Sequence, residues 1–381
     1  MFSGEKKQVI ESAKEASFEA SSGAPSEASS CQDDQQKADA AFETRTPLWV
    51  VATLVAILLI CIMASFALGR YGISLRDFFS IIWLHYFDPA TIASDFTLAS
   101  MDKVVFSIRL PRVLLVCLVG AALAVSGAAY QGMFKNPLVS PDILGSSAGA
   151  SLGACLAMLL SVGNIYIQIA AFLGALLAVG LAVWLNKLVR YDAILGLVLG
   201  GMLVSTLFSS GTSMVKLLAD SQDQLPAITF WLMGSFSSVS MEDLYFALPL
   251  FALGFIILLS QSWKLNVLSF GDEEARAMGV NTARTRIVVI LGSTLLAATS
   301  VAVAGIVGYV GLVIPHLTRA IVGPNYKKLL PFSMFVGASY LLIIDNFARL
   351  LFEVELPIGI LTSILGVPFF IFIFRKNMRG W

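Results

Sequence analysis

Long apolar runs separated by short polar connections are the dominant pattern from residue 48 to the end of the chain. A helix of about 20 apolar residues crosses the ~30 Å hydrocarbon core of a bilayer, and most of these runs have that length. Ten spans are predicted, at residues 48–69, 111–133, 146–161, 166–185, 193–217, 243–261, 287–304, 305–320, 330–352 and 357–374. The eighth is short and is interrupted by glycines and by Pro315. The pattern predicts an all-α membrane protein with about ten transmembrane helices in residues 47–381.

Residues 1–46 have a different character. They are rich in Ser, Ala, Glu and Gln and almost free of large apolar side chains. Such a segment buries too little apolar surface to fold by itself, so it is predicted to be a disordered tail. Its basic residues do not directly precede an apolar stretch, which argues against a signal peptide. A separate surface helix is predicted near residues 75–86, in the connection after the first span.

The composition supports a membrane protein. Hydrophobic residues make up 57% of the 381 residues and charged residues only 13%, whereas soluble domains carry about 25% charged residues. The formal net charge is zero, which gives no electrostatic reason to expect nucleic-acid binding. Outside the tail, thirteen lysines and arginines lie on the side that holds the C-terminus, against seven on the other side. The positive-inside rule therefore predicts that both termini and the polar stretch at residues 268–286 lie in the cytoplasm.

Candidate catalytic chemistry is sparse along the chain. No Gly-Lys dipeptide occurs, so there is no P-loop that could hydrolyse ATP. The four cysteines are scattered, the histidines number two, and no metal-ligand spacing is visible, so no cofactor is expected. Asp345 and Arg349 stand one helical turn apart and are predicted to pair within their span. The chain is not expected to be an enzyme, and the lack of a proton-relay pattern argues against an ion-coupled carrier.

The polar stretch at residues 268–286 differs from the apolar runs on either side of it. Asp272 is predicted to be the N-cap of a short helix, with Glu273 and Glu274 in its first turn, near the positive end of the helix dipole. Gly279 stands where a left-handed residue would end that helix. The stretch therefore predicts a two-turn helix at a water-exposed surface, and an ordinary polar loop is the alternative.

Glycines recur at spacings that favour close helix packing. Gly145, Gly149 and Gly153 lie four residues apart, and Gly196 precedes Gly200 by the same distance. Small residues at this spacing let helix backbones approach each other. Tight packing is the favoured interpretation over a direct contact with substrate.

Several motifs resemble those of a known family. They are RLPR at 109–112, KNPL at 135–138, GLVIPH at 311–316, ELPIG at 355–359 and GVPFF at 366–370. Their order resembles that in the permease subunits of ABC importers for iron–siderophore complexes, haem and cobalamin, the FecCD/BtuC-type permeases of type II importers. The resemblance implies a homodimer of ten-span subunits in the lipid membrane. It also implies two separate ATPase subunits and an extracytoplasmic substrate-binding protein as partners.

The resemblance also implies roles for particular residues. The helix at 272–279 would be the element that docks into the ATPase, and its implied interface residues are Asp272, Glu273, Glu274, Arg276 and Gly279. The residues implied to dock the binding protein are Arg109, Arg112 and Arg349, for which anchoring at the membrane interface is the alternative. The implied lining of the translocation pathway is Gly200, Met202, Ser205, Ser209 and Ser210.

The expected function is therefore that of a permease that imports an iron(III)–siderophore complex without covalent chemistry of its own. Haem or cobalamin is the alternative cargo within the same class. An ion-coupled secondary carrier and a structural membrane scaffold are alternatives from other classes. Dependence of uptake on a partner ATPase separates the importer from both.

Overall fold

The computed structural model describes residues 47–69, 71–188 and 193–377, and the predicted tail at 1–46 lies outside them. Contacts group the chain into two units, Met1–Val50 and Val51–Trp381. The described residues form helices and connections without any strand, which confirms the all-α class. The helices are α1 (Leu48–Ala67), α2 (Leu75–Phe87), α3 (Pro89–Ser94), α4 (Phe96–Lys103), α5 (Leu110–Phe134), α6 (Ser146–Leu159), α7 (Asn164–Leu188), α8 (Ala193–Leu218), α9 (Gln224–Met233), α10 (Met241–Ser260), α11 (Ser262–Phe270), α12 (Asp272–Ala277), α13 (Thr282–Ala304), α14 (Val310–Val322), α15 (Tyr326–Leu350) and α16 (Ile358–Asn377). A π-helical turn, Val104–Arg109, joins α4 to α5.

Seven stretches of the described residues are helical, long and apolar enough to cross a membrane. One of them is continuous from Phe96 to Phe134 and so contains α4, the π-helical turn and α5. Three shorter apolar helices, at Ser146–Leu159, Val310–Val322 and Ile358–Ile371, coincide with the third, eighth and tenth predicted spans. The count of ten spans stays a prediction.

The predicted start of the eighth span at residue 305 is wrong, because α14 begins only at Val310. Gly305 and Tyr309 both have positive φ angles, 68° and 63°, which a regular helix does not allow. Hydrogen bonds between segments, rather than helical ones, hold the backbone around this point. The N–H of Ser235 donates to the carbonyl of Ala304, at the end of α13, at 2.9 Å. The N–H of Ile358 in turn donates to the carbonyl of Gly234, beside Ser235, at 2.8 Å.

Two helices lie outside the predicted spans. Helix α9 occupies part of the stretch between α8 and α10, and its Ile228 is buried with Cys155 and Val215. Helix α11 follows α10 directly, extends into the central polar stretch as far as Phe270, and buries Leu265 and Leu268. The predicted surface helix is confirmed as α2, where the Ser74 hydroxyl accepts a hydrogen bond from the N–H of Asp77.

Helix α5 lies at the centre of the bundle and is buried on nearly every face. It packs against α10, α13, α14 and α15. Two of its glycines are in backbone contact with neighbouring helices. A Cβ added at Gly127 would lie 1.9 Å from the carbonyl oxygen of Gly311 on α14, and one at Gly120 would lie 2.4 Å from that of Gly337 on α15. These helix pairs are therefore as close as their backbones permit.

The predicted packing role of the other glycines is confirmed. A Cβ at Gly149 or Gly153 on α6 would meet a backbone carbonyl of α7 at 2.3 or 2.1 Å. Gly196 and Gly200 on α8 also face α7, where they meet Asn186 and Ala182. Gly145 has a different use, because its φ angle of 84° places it in the left-handed region just before α6.

Replacing Gly127 by alanine is expected to lower the melting temperature of the purified protein. The added methyl group meets a backbone carbonyl that cannot rotate away, so α5 and α14 must separate, at a cost of about 1–3 kcal/mol. Gly180→Ala on α7 is the matched control, because a Cβ there meets nothing within 4 Å. Melting in detergent, followed by size-exclusion chromatography, measures both variants. Equal melting temperatures for the two variants would contradict the packing account.

Candidate functional site

The short helix α12 begins differently from the prediction. Asp272 was expected to be its N-cap, but Gly271 flanks the helix and Asp272 is its first residue. The Asp272 carboxylate does not cap α12, because it is held by cations from other elements. The prediction that Glu273 and Glu274 occupy the first turn is confirmed. Glu274 folds back over Gly271, so a Cβ at Gly271 would lie 1.9 Å from its Oε2.

The end of α12 is a complete Schellman motif. Gly279 has a φ angle of 80°, as predicted. Its N–H donates to the carbonyl of Arg276 at 2.9 Å, and the N–H of Val280 donates to that of Ala275, also at 2.9 Å. Val280 and Ala275 are both buried, which supplies the apolar contact typical of this motif. Helix α12 thus has a fixed end although it is only six residues long.

Asp272 ties α12 to two long helices. Its carboxylate lies 2.8 Å from Nη2 of Arg286, in the second turn of α13, and 3.6 Å from Nζ of Lys135, which directly follows α5. The start of α13 is fixed by Asn281, whose side chain accepts a hydrogen bond from the N–H of Arg284. Glu273 and Arg276 remain exposed on α12. The Asp272 carboxylate thus connects this exposed helix by ion pairs to the end of α5 and to α13. The sequence did not predict these two ion pairs, because Lys135 and Arg286 lie 137 and 14 residues from Asp272, respectively.

A second charged cluster lies at the opposite end of α5, about 35 Å away at 1.5 Å per residue. Asp345 on α15 is fully buried, with 0% of its side chain exposed. Its carboxylate accepts hydrogen bonds from Nε and Nη2 of Arg112 at 3.1 and 2.9 Å. The predicted pair with Arg349 is confirmed, with Nε of Arg349 3.2 Å from the Asp345 carboxylate. Glu355, in the ELPIG motif, adds a second acid at 2.9 Å from Nη1 of Arg112.

Of the three arginines predicted to dock a binding protein, Arg112 and Arg349 belong to this cluster, whereas Arg109 binds the backbone at Phe66, next to the Ser65 carbonyl that Arg349 contacts. Arg109, Arg112 and Arg349 are each buried, with 4, 6 and 8% of the residue exposed. Arg109 donates hydrogen bonds to the carbonyls of Phe66 and Tyr71, which fixes the end of α1 and the residues after it. In this conformation all three guanidinium groups contact internal partners. Docking stays a prediction, and it requires that some of these contacts be exchanged for contacts to the binding protein.

The predicted pathway residues on α8 fall into three groups. Ser205 and Ser209 line a cavity of about 510 Å³ between α6 and α8. Met202 and Ser210 are exposed on the protein surface, and Gly200 is buried against α7. The same cavity is lined by Asp142 and Lys216, neither of which was among the predicted pathway residues. Of these two residues, only Lys216 could have been singled out from the sequence, because it is a cation within an otherwise apolar predicted span.

Comparison with known proteins gives consistent matches over most of the chain. The family model for the FecCD transport family matches residues 56–376. The molybdate import system permease protein MolB of Haemophilus influenzae is 40% identical over 331 residues, which cover 86% of this chain and 95% of MolB. The protein named "Probable iron chelatin transport system permease protein" of Helicobacter pylori is 40% identical over 283 residues, 74% of this chain and 85% of that protein. A solved inward-facing structure of a metal-chelate type ABC transporter is 39% identical, with a TM-score of 0.75 over 86% of this chain and 99% of that chain.

The fold and these matches define the class of the protein as a multi-span membrane permease of an ABC importer, which is not an enzyme. The chain belongs to the FecCD transport family. Membership implies that separate ATPase and substrate-binding partners act with it.

Replacing Arg112 by methionine is expected to destabilise the protein strongly. The change leaves the fully buried Asp345 with Arg349 as its remaining cation and removes the partner of Glu355. Breaking a buried ion pair typically costs about 3–5 kcal/mol. Arg76→Met, on the exposed surface of α2, is the control. Chemical or thermal unfolding of the purified variants measures the difference, and adding Asp345→Asn to Arg112→Met is expected to recover part of the loss. A similar loss of stability in Arg112→Met and Arg76→Met would show that the buried cluster is unimportant.

Proposed function

We propose that this permease imports an iron(III)–siderophore complex across the cytoplasmic (inner) membrane. An extracytoplasmic binding protein delivers the complex, and separate ATPase subunits supply the energy. The observation that carries the proposal is α12, a capped helix with an exposed acidic first turn that is tied by Asp272 to both α5 and α13. The 40% identity to the iron chelatin permease supports iron as the cargo.

The working unit is a homodimer with two ATPase subunits on its cytoplasmic side. Both chain termini lie in the cytoplasm, in agreement with the distribution of lysines and arginines. Helix α12 then faces the ATPase, and the cluster around Asp345 faces the binding protein. A docked binding protein presents acidic groups to Arg109, Arg112 and Arg349. Such charge complementarity fixes orientation and speeds association more than it adds affinity.

Transport proceeds by alternating access. Closure of the ATPase subunits on ATP moves α12 through contacts with Glu273, Glu274 and Arg276. Asp272 passes the movement to Lys135 and Arg286, and therefore to α5 and α13. Because α5 is in backbone contact with α14 and α15, it carries these helices with it. The pathway beside α8 opens to one side and then to the other, and no covalent bond is made or broken in this chain.

Molybdate is the second candidate cargo. The observation that favours it is the match to the molybdate permease, which extends over 95% of that protein. Haem and cobalamin remain alternatives within the family. An ion-coupled carrier would retain uptake after removal of the ATPase, and a scaffold would show no flux.

The test compares uptake of a labelled ferric siderophore, molybdate, haem and cobalamin. The strain lacks this gene, and each uptake is measured with and without the restored gene and with an inactive partner ATPase. Loss of ferric siderophore uptake alone, restored by the gene and dependent on the ATPase, is the expected result. Loss of molybdate uptake alone would replace iron by molybdate. Uptake that is independent of the ATPase would overturn the importer assignment.

Replacing Gly279 by valine is expected to uncouple ATP hydrolysis from uptake. A Cβ at Gly279 meets nothing within 4 Å, so the variant acts only through the positive φ angle, which is costly for a β-branched residue. Gly279→Asn is the matched control, because asparagine tolerates the left-handed conformation. Proteoliposomes with permease, ATPase and binding protein give the uptake per ATP hydrolysed. We expect this ratio to fall severalfold for valine and to stay near the wild-type value for asparagine. A wild-type ratio for both variants would exclude a role for the end of α12.

A further inference from the structure

We propose that the cavity between α6 and α8 admits a negatively charged cargo and that Lys216 recognises its charge. This inference rests on the proposed function as an importer, and it names the chemical class of the substrate rather than a particular compound. Anionic metal chelates and oxyanions both belong to that class.

The cavity lies between two helices that run side by side in the same direction. A Cβ at Gly145, just before α6, would lie 2.9 Å from Oγ of Ser205 on α8. One at Gly211, further along α8, would lie 3.1 Å from Cδ1 of Leu152, further along α6. The later residue of α6 thus meets the later residue of α8, so the two helices are parallel. Successive turns of both helices therefore face the same space.

Both helices turn a polar stripe toward this space. On α8, Ser205, Ser209, Thr212 and Lys216 recur every three or four residues and therefore share one face. On α6, Ser147 and Ser151 are one turn apart, and all six residues line the cavity. Thr212 donates its hydroxyl proton to the carbonyl of Phe208 at 3.1 Å. Ser205 and Ser209 make no side-chain hydrogen bond within the described part of the chain, so their hydroxyl groups are free to donate to a cargo.

The two charged residues of the cavity are unequally engaged. Oδ1 of Asp142 accepts hydrogen bonds from the N–H of Ser147 at 2.8 Å and from Oγ of Ser146 at 3.2 Å, so this carboxylate is committed to the start of α6. Lys216 has no ion pair among the residues that the structure describes. Asp142 lies three residues before Gly145, which is next to Ser205. Lys216 lies 11 positions beyond Ser205 on α8, about 16 Å further along the helix axis. The ammonium group is thus not neutralised by Asp142.

A half-buried, unpaired cation beside hydroxyl donors is suited to an anion. The apolar helices around the cavity reduce screening, so an anion beside Lys216 gains more than it would in water. A volume of about 510 Å³ is within the range of small-molecule sites and admits an oxyanion or a compact metal chelate. The competing explanation is that Lys216, in the last turn of α8, only complements the helix dipole or reaches the membrane surface. That role gives no discrimination between cargoes.

The test is equilibrium binding to the complete permease–ATPase complex in nanodiscs, without the binding protein. The probes are molybdate, a trianionic ferric tricatecholate and a neutral ferric trihydroxamate. The wild-type complex is expected to bind at least one anionic probe and to bind it more tightly than the neutral one. Lys216→Gln is expected to weaken the anionic probe by about tenfold and to leave the neutral probe unchanged, since one charge-assisted contact is lost.

Two control variants separate recognition from a structural effect. Lys216→Arg keeps the charge and is expected to retain most of the binding. Lys103→Gln, in the last turn of α4 and outside the cavity, is expected to bind as the wild type does. The inference is overturned if the wild type binds no anionic probe, or if Lys216→Gln changes anionic and neutral probes equally. ATPase-dependent uptake is measured in parallel, with the wild-type complex and its binding protein in proteoliposomes. Absence of uptake would refute the importer function, whereas uptake together with unselective binding would refute only the role of Lys216.

Discussion

Backbone contact between α5 and its neighbours is the constraint on which the rest of this structure depends. Lipid is as apolar as leucine, so helices in a membrane associate through close packing rather than through removal of apolar surface from water. Gly120 and Gly127 place the backbone of α5 against Gly337 and Gly311, with no room for a side chain on either partner. A central helix held in this way moves together with α14 and α15 or not at all.

A charged cluster lies at each end of α5. At one end Lys135 meets Asp272 of α12, and at the other Arg112 meets the fully buried Asp345. A buried carboxylate is costly unless cations and hydrogen bonds compensate it, and here Arg112 and Arg349 both do so. In the proposed mechanism the two clusters need not be in contact to be coupled, because one packed helix about 35 Å long joins them.

The sequence predicted those features that depend on neighbouring residues. Apolar runs located the long helices, Gly279 located the end of α12, and a spacing of one turn paired Asp345 with Arg349. The motifs at 109–112 and 355–359 supported the family, which the comparisons confirm. Features that depend on contacts between distant residues could not be predicted in this way. Arg112 and Asp345 are 233 residues apart, and no local pattern shows that Asp272 is held by Lys135 and Arg286 instead of capping its own helix.

The central claim is that α12 is the surface through which a partner ATPase drives this permease. Site-specific photocrosslinking tests it most directly, with p-benzoylphenylalanine in place of Met278, which is 56% exposed at the end of α12. The same group in place of Leu188, 60% exposed at the end of α7, is the reference. The account predicts an adduct between permease and ATPase at position 278 and none at 188. An adduct at 188 without one at 278 would contradict it.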